Sequence, residues 1–549
     1  MKEPKDQPSA RPPPDISRYP KLDAAQAGHL RHFHNLSSQL DGQWHHMAGF
    51  EPLQELFDSY RYQISVIAYA VGVAHFHRLP ASRSMFKKLL DQIIHKMLLR
   101  DVWGYWYNAS VSGSYVDPGR AELRKPWADP IIKENIMYSG HILMMTSMYA
   151  MLFDDDKFEK PGSLTFHWDP LLWGLGTESF VYDNRSIQAA IIAEMERSKW
   201  IGVCCEPNLV FIVCNQFPII AMRYNDVRDG TNVAGEVVEK YKSAWDKRGM
   251  VAPNGLYIDW LYFNQDEAVP PSDICFTAWA NAYMNTWNSE LIKSLYDKQA
   301  LGYITNVDGQ VRLHDHHFAV EYRKMVEAGG IDRAEGSHRD TAERVAEARA
   351  QREINRPPPD KYTDPVLGCV VQWLSELGKT TELQGLLDYA DAHLNPKWED
   401  GGLFYPRKDP SEDEPDEWSH MDPFTGNAGI PYARLNVPEG QKKMWDDPWT
   451  RESLAARPWI DGIDLSQGVD TLRGIWDGEE RVLVLTLRTW HGGPVTVEPV
   501  ARNLDAGAWA VHVNGALVKQ DSVEDRGSLS ATVTVGGEDV DVIFQHVGV

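Results

Sequence analysis

Between about residue 55 and residue 300 the chain repeats one pattern: a stretch of helical length with apolar residues every three or four positions, then a loop rich in aromatic and polar residues. The stretches DSYRYQISVIAYAVGVAHFHRL, SRSMFKKLLDQIIHKMLLR, KENIMYSGHILMMTSMYAMLF, RSIQAAIIAEMERSKW, NLVFIVCNQFPIIAMRY and DICFTAWANAYMNTWNSELIKSLY all carry it, and DPVLGCVVQWLSELG and ELQGLLDYADAHLN continue it. Such spacing gives each helix an apolar stripe that has to be buried against a neighbour. Helices of this length, joined by loops such as DVWGYWYNAS, NGLYIDWLYFNQDEAVPPSD and WEDGGLFYPR, predict a mainly α fold. The expected arrangement is an α/α barrel, a toroid of helical hairpins whose aromatic loops crowd one end of a central pocket. A helical array with no central pocket is the alternative.

The period changes near residue 465. TLRGIWDG, RVLVLTLRTW, PVTVEPV, WAVHVNGALV, LSATVTV and DVDVIF alternate with period two, and Asn514-Gly515 is a hairpin signal, so residues 465–549 predict a C-terminal all-β sandwich domain. The catalytic α/α-barrel domain is then expected over residues 26–464. Residues 310–360, heavily charged and ending in a proline run, read as a surface insertion in it. Residues 1–25, rich in proline and charge, read as a flexible lead-in without the apolar core of a secretory signal, which places the chain in the cytoplasm.

A net charge of −23 repels a phosphate backbone, so nucleic acid and anionic membrane are excluded as partners. No unbroken apolar run of membrane-spanning length is expected. Five cysteines, an odd number, argue against a disulfide framework in a reducing compartment. No Gly-rich nucleotide fingerprint follows a predicted strand, so no cofactor is implied, and no cysteine spacing suits a metal, so none is assigned. HDHH at 314–317 reads as part of the solvated charged run.

Three of those cysteines fall in CCEPNLVFIVCNQFP, residues 204–218, interleaved with Glu206, Asn208 and Asn215. Pro207 suits the first turn of a helix, which would put Cys204, Cys205 and Glu206 at a helix N-terminus. Cys205 and Cys214 would then flank one pocket, unless they are small buried hydrophobes. His141 sits in an apolar helix one turn after Met137, either as a satisfied core histidine or as a pocket-facing acid or base. Asp58 and Tyr62 share a helical face, while Asp58 and Arg61 could form a surface pair.

Together YRYQ at 60–63, MYSGH at 137–141 and CEPNLVFIVCNQFP, with its cysteines nine apart, resemble the linalool dehydratase/isomerase family. FTGNAGIPYARL at 424–435 is similar as well. The resemblance implies an α/α barrel that binds a terpene alcohol in a hydrophobic pocket and, without cofactor, eliminates water or moves a hydroxyl across an allylic system. It implies that Cys205 and Cys214 match the family's pocket cysteines, His141 its histidine, Met137 its methionine and Tyr62 its tyrosine. An aspartate, a tyrosine and a cysteine early in the family's chain complete the site from a neighbouring subunit, which admits a homo-oligomer. Here the early region offers Asp41, with His45, His46 and Met47 nearby and no early cysteine.

The chemistry read from the residues agrees in kind. Ionising an allylic alcohol needs a proton for the leaving oxygen, a dry aromatic pocket and a weak base. Trp103, Tyr105, Trp106, Tyr257, Trp260 and Tyr262 are candidate pocket walls. Two other readings stay open on the same scaffold. One is a cyclase or pericyclase working by shape. The other is a carbohydrate-active α/α barrel using Asp259, Asp266, Glu267 and the WEDGGLFYP loop. The acidic turn FDDDKFE at 153–159 only superficially matches a magnesium-diphosphate motif, and a helical scaffold that binds a partner protein is the non-enzymatic reading.

Overall fold

The computed structural model describes residues 12–47, 59–170, 176–307, 309–331, 343–347, 365–408 and 420–547. The body is mainly helical and the C-terminal region is β-rich. Helix Tyr60–His77 packs on Ile136–Phe153, which packs on Gln216–Asp229, which touches Cys275–Ala300. That helix packs on Val366–Leu377, which meets Ile430–Leu435, and Ile430–Leu435 returns to Tyr60–His77. Outside them Arg83–Met97, Asn184–Arg197, Val233–Arg248 and Thr380–His393 pack on these helices with more polar, half-exposed surfaces.

Composition explains the two layers. Ile136–Phe153 is buried along its whole length and has no polar face, so it is stable only where it is surrounded. Burying each of its large apolar side chains stabilises by roughly 1.5–3 kcal/mol. This helix is long and apolar enough to cross a membrane by length and composition, although Ser139, His141, Thr146 and Ser147 interrupt its apolar run, and all of it lies inside the protein. Its approach to Tyr60–His77 depends on Gly72, where a Cβ would lie 2.3 Å from the Met148 sulfur. The outer helix Asn184–Arg197 starts on a capping box: Asp183 accepts from Ser186 N at 2.9 Å, and Ser186 Oγ accepts from Asp183 N at 2.8 Å.

In the C-terminal region a five-stranded antiparallel sheet runs Val469–Asp477, Val482–Thr489, Val540–His546, Gly507–Val513, Ala516–Val523 in spatial order. Asn514 and Gly515 turn the last pair with φ of 49° and 79°, as a two-residue hairpin requires. A three-stranded and a two-stranded sheet complete the region, and Leu485, Val511, Phe544, Leu504, Leu529 and Val535 from all three share one apolar core.

Several sequence expectations change here. Residues 208–215 are not helical: Leu209–Val210 is a short strand, Val213–Asn215 a 3₁₀ turn, and the helix starts at Gln216. The described part of the N-terminal lead-in is docked: Tyr19 is buried against the outer face of the five-stranded sheet, and its hydroxyl donates to Asp477 at 2.7 Å. The described part of the charged insertion holds a hairpin, Ile304–Val307 with Gln310–Leu313, and the helix His316–Glu327. HDHH is not a solvated run, because His314 is buried, stacks on Phe318 and hydrogen-bonds Thr305 Oγ1 at 2.7 Å. Asp58 lies outside the described residues.

Candidate active site

The cysteine segment is a clamp held by its two amides. Asn208 adopts a left-handed φ of 78°, and Leu209 N donates to Glu206 O at 2.9 Å, so the chain turns after Pro207 and does not enter a helix. Asn208 donates through Nδ2 to Val116 O and Gln265 Oε1, both at 2.9 Å, and accepts from Asn264 N at 2.6 Å. Asn215 grips Val203 on both sides, accepting from its N–H at 2.8 Å and donating to its carbonyl at 3.1 Å. The result brings Cys205 beside Cys214, both buried, with a hydrogen bond between the thiols. Cys214, in the 3₁₀ turn ahead of Gln216–Asp229, is the cysteine near a helix start, whereas the sequence reading placed Cys204 and Cys205 there.

The same segment positions the histidine helix. The Cys204 carbonyl accepts from Asn135 N at 2.9 Å and Ile136 N at 3.1 Å, which fixes the start of Ile136–Phe153 and so the first two turns that carry Met137 and His141. Tyr62, in the first turn of Tyr60–His77, places its hydroxyl 3.4 Å from the Met137 sulfur. Its ring stands edge-on to His141 at 5.8 Å and to Trp279 at 5.5 Å. Residues from the starts of four of the packed inner helices thus meet at one end of the helical body.

His141 hydrogen-bonds Tyr69 Oη through Nδ1 at 2.8 Å, and its buried Nε2 has no hydrogen-bond partner among the described residues. Ser65 donates to the Tyr62 carbonyl at 3.0 Å. In the tautomer that carries its proton on Nδ1, His141 donates to Tyr69 Oη and keeps the Nε2 lone pair as an acceptor.

Burial, then Arg61, pulls the imidazole pKa down to about 3. Burial pushes Tyr62 well above its usual range; Arg61 opposes this, and the neighbouring Cys214, Glu206 and Cys205 add to it. Burial, then the bond to Cys214, pushes the Cys205 thiol up, and burial does the same to Cys204. Arg61 itself is fully buried; burial works against its charge, but Tyr105, Tyr62 and Glu206 outweigh that and hold the guanidinium. At neutral pH the site therefore holds a neutral imidazole, a protonated phenol and a protonated Cys205 thiol. It is equipped to move protons between weak acids and a weak base, not to attack through a standing thiolate.

Not every expected residue joins this cluster. Tyr105 does: the Arg61 guanidinium lies 3.9 Å from its ring centroid, and its hydroxyl donates to Asn135. Asp41 is exposed and bound to His95 Nε2 at 3.0 Å. Trp103 donates to Leu98 O at 3.1 Å and packs on Phe166, and Trp106 packs on Trp127. Tyr257 is tied to Asn281 at 2.8 Å, and Trp260 and Tyr262 belong to the short strand that pairs with Leu209–Val210. Besides Tyr62 and Tyr69, the imidazole has Phe217 at 4.2 Å and Trp279 at 6.2 Å, with Phe424 packed 5.3 Å from Trp279. Arg61 was the residue with a readable signal, as a charge in a helical stretch otherwise too apolar to face water.

The rival motifs are occupied otherwise. Asp155 pairs with Lys87, and Glu159 with Arg185 and Arg228. Asp259 is buried and accepts from Ser272 N, while Asp266 is exposed on Arg248 and Glu267 is exposed. A cleft of about 280 Å³ opens beside Cys204, lined by charged side chains including Arg120, Arg124, Glu134 and Glu194.

The model of the family described as linalool dehydratase/isomerase matches residues 61–411, more than half of the chain. Among solved structures, a possible member of the GH105 family from Salmonella enterica subsp. enterica serovar Paratyphi A is 10% identical at a TM-score of 0.39, with 81% of this chain and 99% of that one covered. A protein described as a glycoside hydrolase is 12% identical at a TM-score of 0.29, covering 96% and 79%. A GH127 β-L-arabinofuranosidase from Geobacillus stearothermophilus is 12% identical at 0.21, covering 95% and 75%. These structural likenesses are too slight to carry an activity.

Proposed function

Because this chain belongs to the linalool dehydratase/isomerase family, we propose that it is a lyase or isomerase acting on a hydrophobic, terpenoid-like alcohol by proton transfer in an aromatic site. The observation that carries the reading is the meeting of Tyr62, Met137, His141, Cys205 and Cys214 at the starts of the inner helices. We infer an α/α barrel for the body, residues 26–464, from the way its inner helices follow one another around to the first, and a sandwich for residues 465–549 from the core their sheets share. Asp41, Trp103, Trp106, Tyr257, Trp260 and Tyr262 have no role in this proposal.

An O–H or S–H of the site gives its proton to the substrate hydroxyl as the C–O bond breaks, its electron pair staying on the departing water. His141 Nε2 then takes a proton from the adjoining carbon, whose C–H electrons become the new double bond. A proton returned from His141 to the acid completes the balance. The imidazole, with a pKa near 3, is too weak a base for an ordinary C–H bond. It suffices for the very acidic proton beside an allylic cation, which favours ionisation first. Adding water back at the other end of the allylic system gives the isomerase direction.

The test is to incubate the purified protein with linalool and related allylic alcohols and to follow the products by gas chromatography and mass spectrometry. Water loss or hydroxyl migration that disappears in Cys205→Ala and His141→Ala supports the reading. Unchanged turnover in both variants removes the acid–base assignment and leaves a cyclisation governed by shape.

A further inference from the structure

We propose that the cleft at the far ends of Tyr60–His77 and Ile136–Phe153 binds a small carboxylate carried on an aromatic or aliphatic body, with Arg457 holding the carboxylate. This site is independent of the lyase or isomerase reading: each helix runs 18 residues, about 27 Å, from its start at the candidate active site to its end at this cleft.

The cleft has a volume of about 260 Å³ and lies where the helical body meets Trp459 and Asn503 of the three-stranded sheet. Its charge is opposite to that of the chain. In a protein of net charge −23, four arginines line it, Arg83, Arg451, Arg457 and Arg526, against one carboxylate, Asp154. Asp154 is engaged already, by Arg228 at 2.9 Å and Arg451 at 3.3 Å. Arg526 is exposed to water. Arg83 donates to the Phe153 carbonyl, at a helix end where a cation is favoured. Arg457 has no such role. Among the described residues this half-buried guanidinium forms no ion pair, and its buried Nη2 has no hydrogen-bond partner. Burial, then the like charge of Arg83, lowers it to about 10.

The unpaired cation is nonetheless held in place. It lies 3.5 Å from the Trp449 ring centroid, and Asn503 Nδ2 donates to Arg457 O at 3.1 Å and to Ala455 O at 2.8 Å, which fixes the backbone that presents it. Keeping a cation beside a like charge and away from water costs stability, and a bound anion removes that cost. The planar fork of a guanidinium matches a carboxylate through two parallel hydrogen bonds. One uncompensated buried charge calls for one negative charge, which favours a carboxylate over a dianionic phosphate. Leu152, Phe153, Leu454 and the Trp459 ring give the remainder of the ligand an apolar wall. Trp459 also has a buried indole N–H with no hydrogen-bond partner among the described residues.

The test titrates the full-length protein by isothermal titration calorimetry with 2-naphthoate, indole-3-acetate and octanoate, each paired with its primary amide as the neutral isostere, and with 2-naphthyl phosphate as the dianion. At least one carboxylate is expected to bind with a Kd below about 1 mM. Its amide should bind about tenfold or more weakly, the loss expected when a charge-assisted hydrogen bond is removed. Arg457→Gln should weaken the carboxylate by a similar factor, and Arg457→Lys by less, because the charge stays and the fork goes. The comparison of acid with amide needs no variant and stands even if Arg457→Gln fails to fold. Acid and amide binding alike, carboxylate binding unchanged in Arg457→Gln, no carboxylate bound at about 1 mM, or tighter binding of 2-naphthyl phosphate overturns the proposal. Since no titration needs turnover, failure to convert any alcohol would count against the lyase or isomerase reading alone.

Discussion

The two interiors of this molecule differ in what they bury. The core shared by the C-terminal sheets is built of side chains such as Leu483, Leu485, Leu487, Val542 and Phe544, with Thr486, His512 and Gln545 buried along the same strands, and its strands alternate so regularly that the hairpin at Asn514-Gly515 follows from sequence. The centre of the helical body buries Arg61, Gln63, His141 and Asn215 completely beside two thiols, and His141 Nε2 has no hydrogen-bond partner among the described residues. Burying such groups costs stability unless each is matched, so a region that keeps them where a leucine would be cheaper is shaped by chemistry. On the proposed function, the helical centre gives up some stability for its site.

The largest effect that would break this contrast is on turnover. His141→Ala or Cys205→Ala should lower the rate on an allylic alcohol by about 10²–10⁴-fold, the usual contribution of a positioned acid or base. The midpoint of thermal unfolding should stay near that of the parent, because the substitution also removes a poorly satisfied polar group. A variant that loses activity only in proportion to its folded fraction would show that the central polar groups are structural.

Sequence periodicity made the helical body and the β region legible, because a period of three to four residues or of two follows directly from which face must be dry. The gathering of His141, Tyr62 and Cys205 was legible only through family motifs, since their meeting depends on contacts as far apart in sequence as Asn135 N to the Cys204 carbonyl. The turn at 206–209 was misread because Pro207 is equally at home in a helix's first turn, and the left-handed Asn208 that decides against one leaves no periodic trace. Trp260 and Tyr262 were assigned to the site by residue type alone. Strand pairing, which sequence does not display, ties them to Leu209–Val210 in the cysteine segment.

Acid should separate the two regions next. Burial lowers His32 and His77 to about 4 and His75 and His141 to about 3, all in the helical body. Their folded pKa values lie below the unfolded value, so their contribution is fully present above about pH 6.5 and is lost as pH falls through 4 to 3. Glu376 at about 7 and Asp470 at about 6, both raised first by burial, act in the opposite sense, since each folded value exceeds the unfolded one. Stability should therefore fall progressively as pH drops from about 6.5 toward 4, because four lowered histidines outnumber the two raised carboxyls, and the loss should be led by helical signal in circular dichroism. Stability that stays level down to about pH 4, or simultaneous loss of helical and β signal, would contradict it.

A single truncation in the β core is the next smaller effect. Leu485→Ala should cost about 2–5 kcal/mol in denaturant unfolding, from lost burial plus the cavity left behind. Turnover per folded molecule should be unchanged. A specific change in turnover would mean that the β region takes part in the site.

The smallest effect asks whether the division lies between helix and sheet or between centre and periphery. Asp183 caps the outer helix Asn184–Arg197 through a reciprocal pair of bonds with Ser186, at a helix whose exposed side carries ordinary polar residues. Asp183→Ala should cost about 1 kcal/mol, Asp183→Asn should restore most of it, and neither should alter turnover per folded molecule. The outer helix would then behave like the β region although it is helical, and the contrast would run between the centre and everything packed around it. If Asp183→Ala instead lowers turnover well beyond its cost in stability, the outer helices are coupled to the site, and the site's boundary has to be drawn through the second layer.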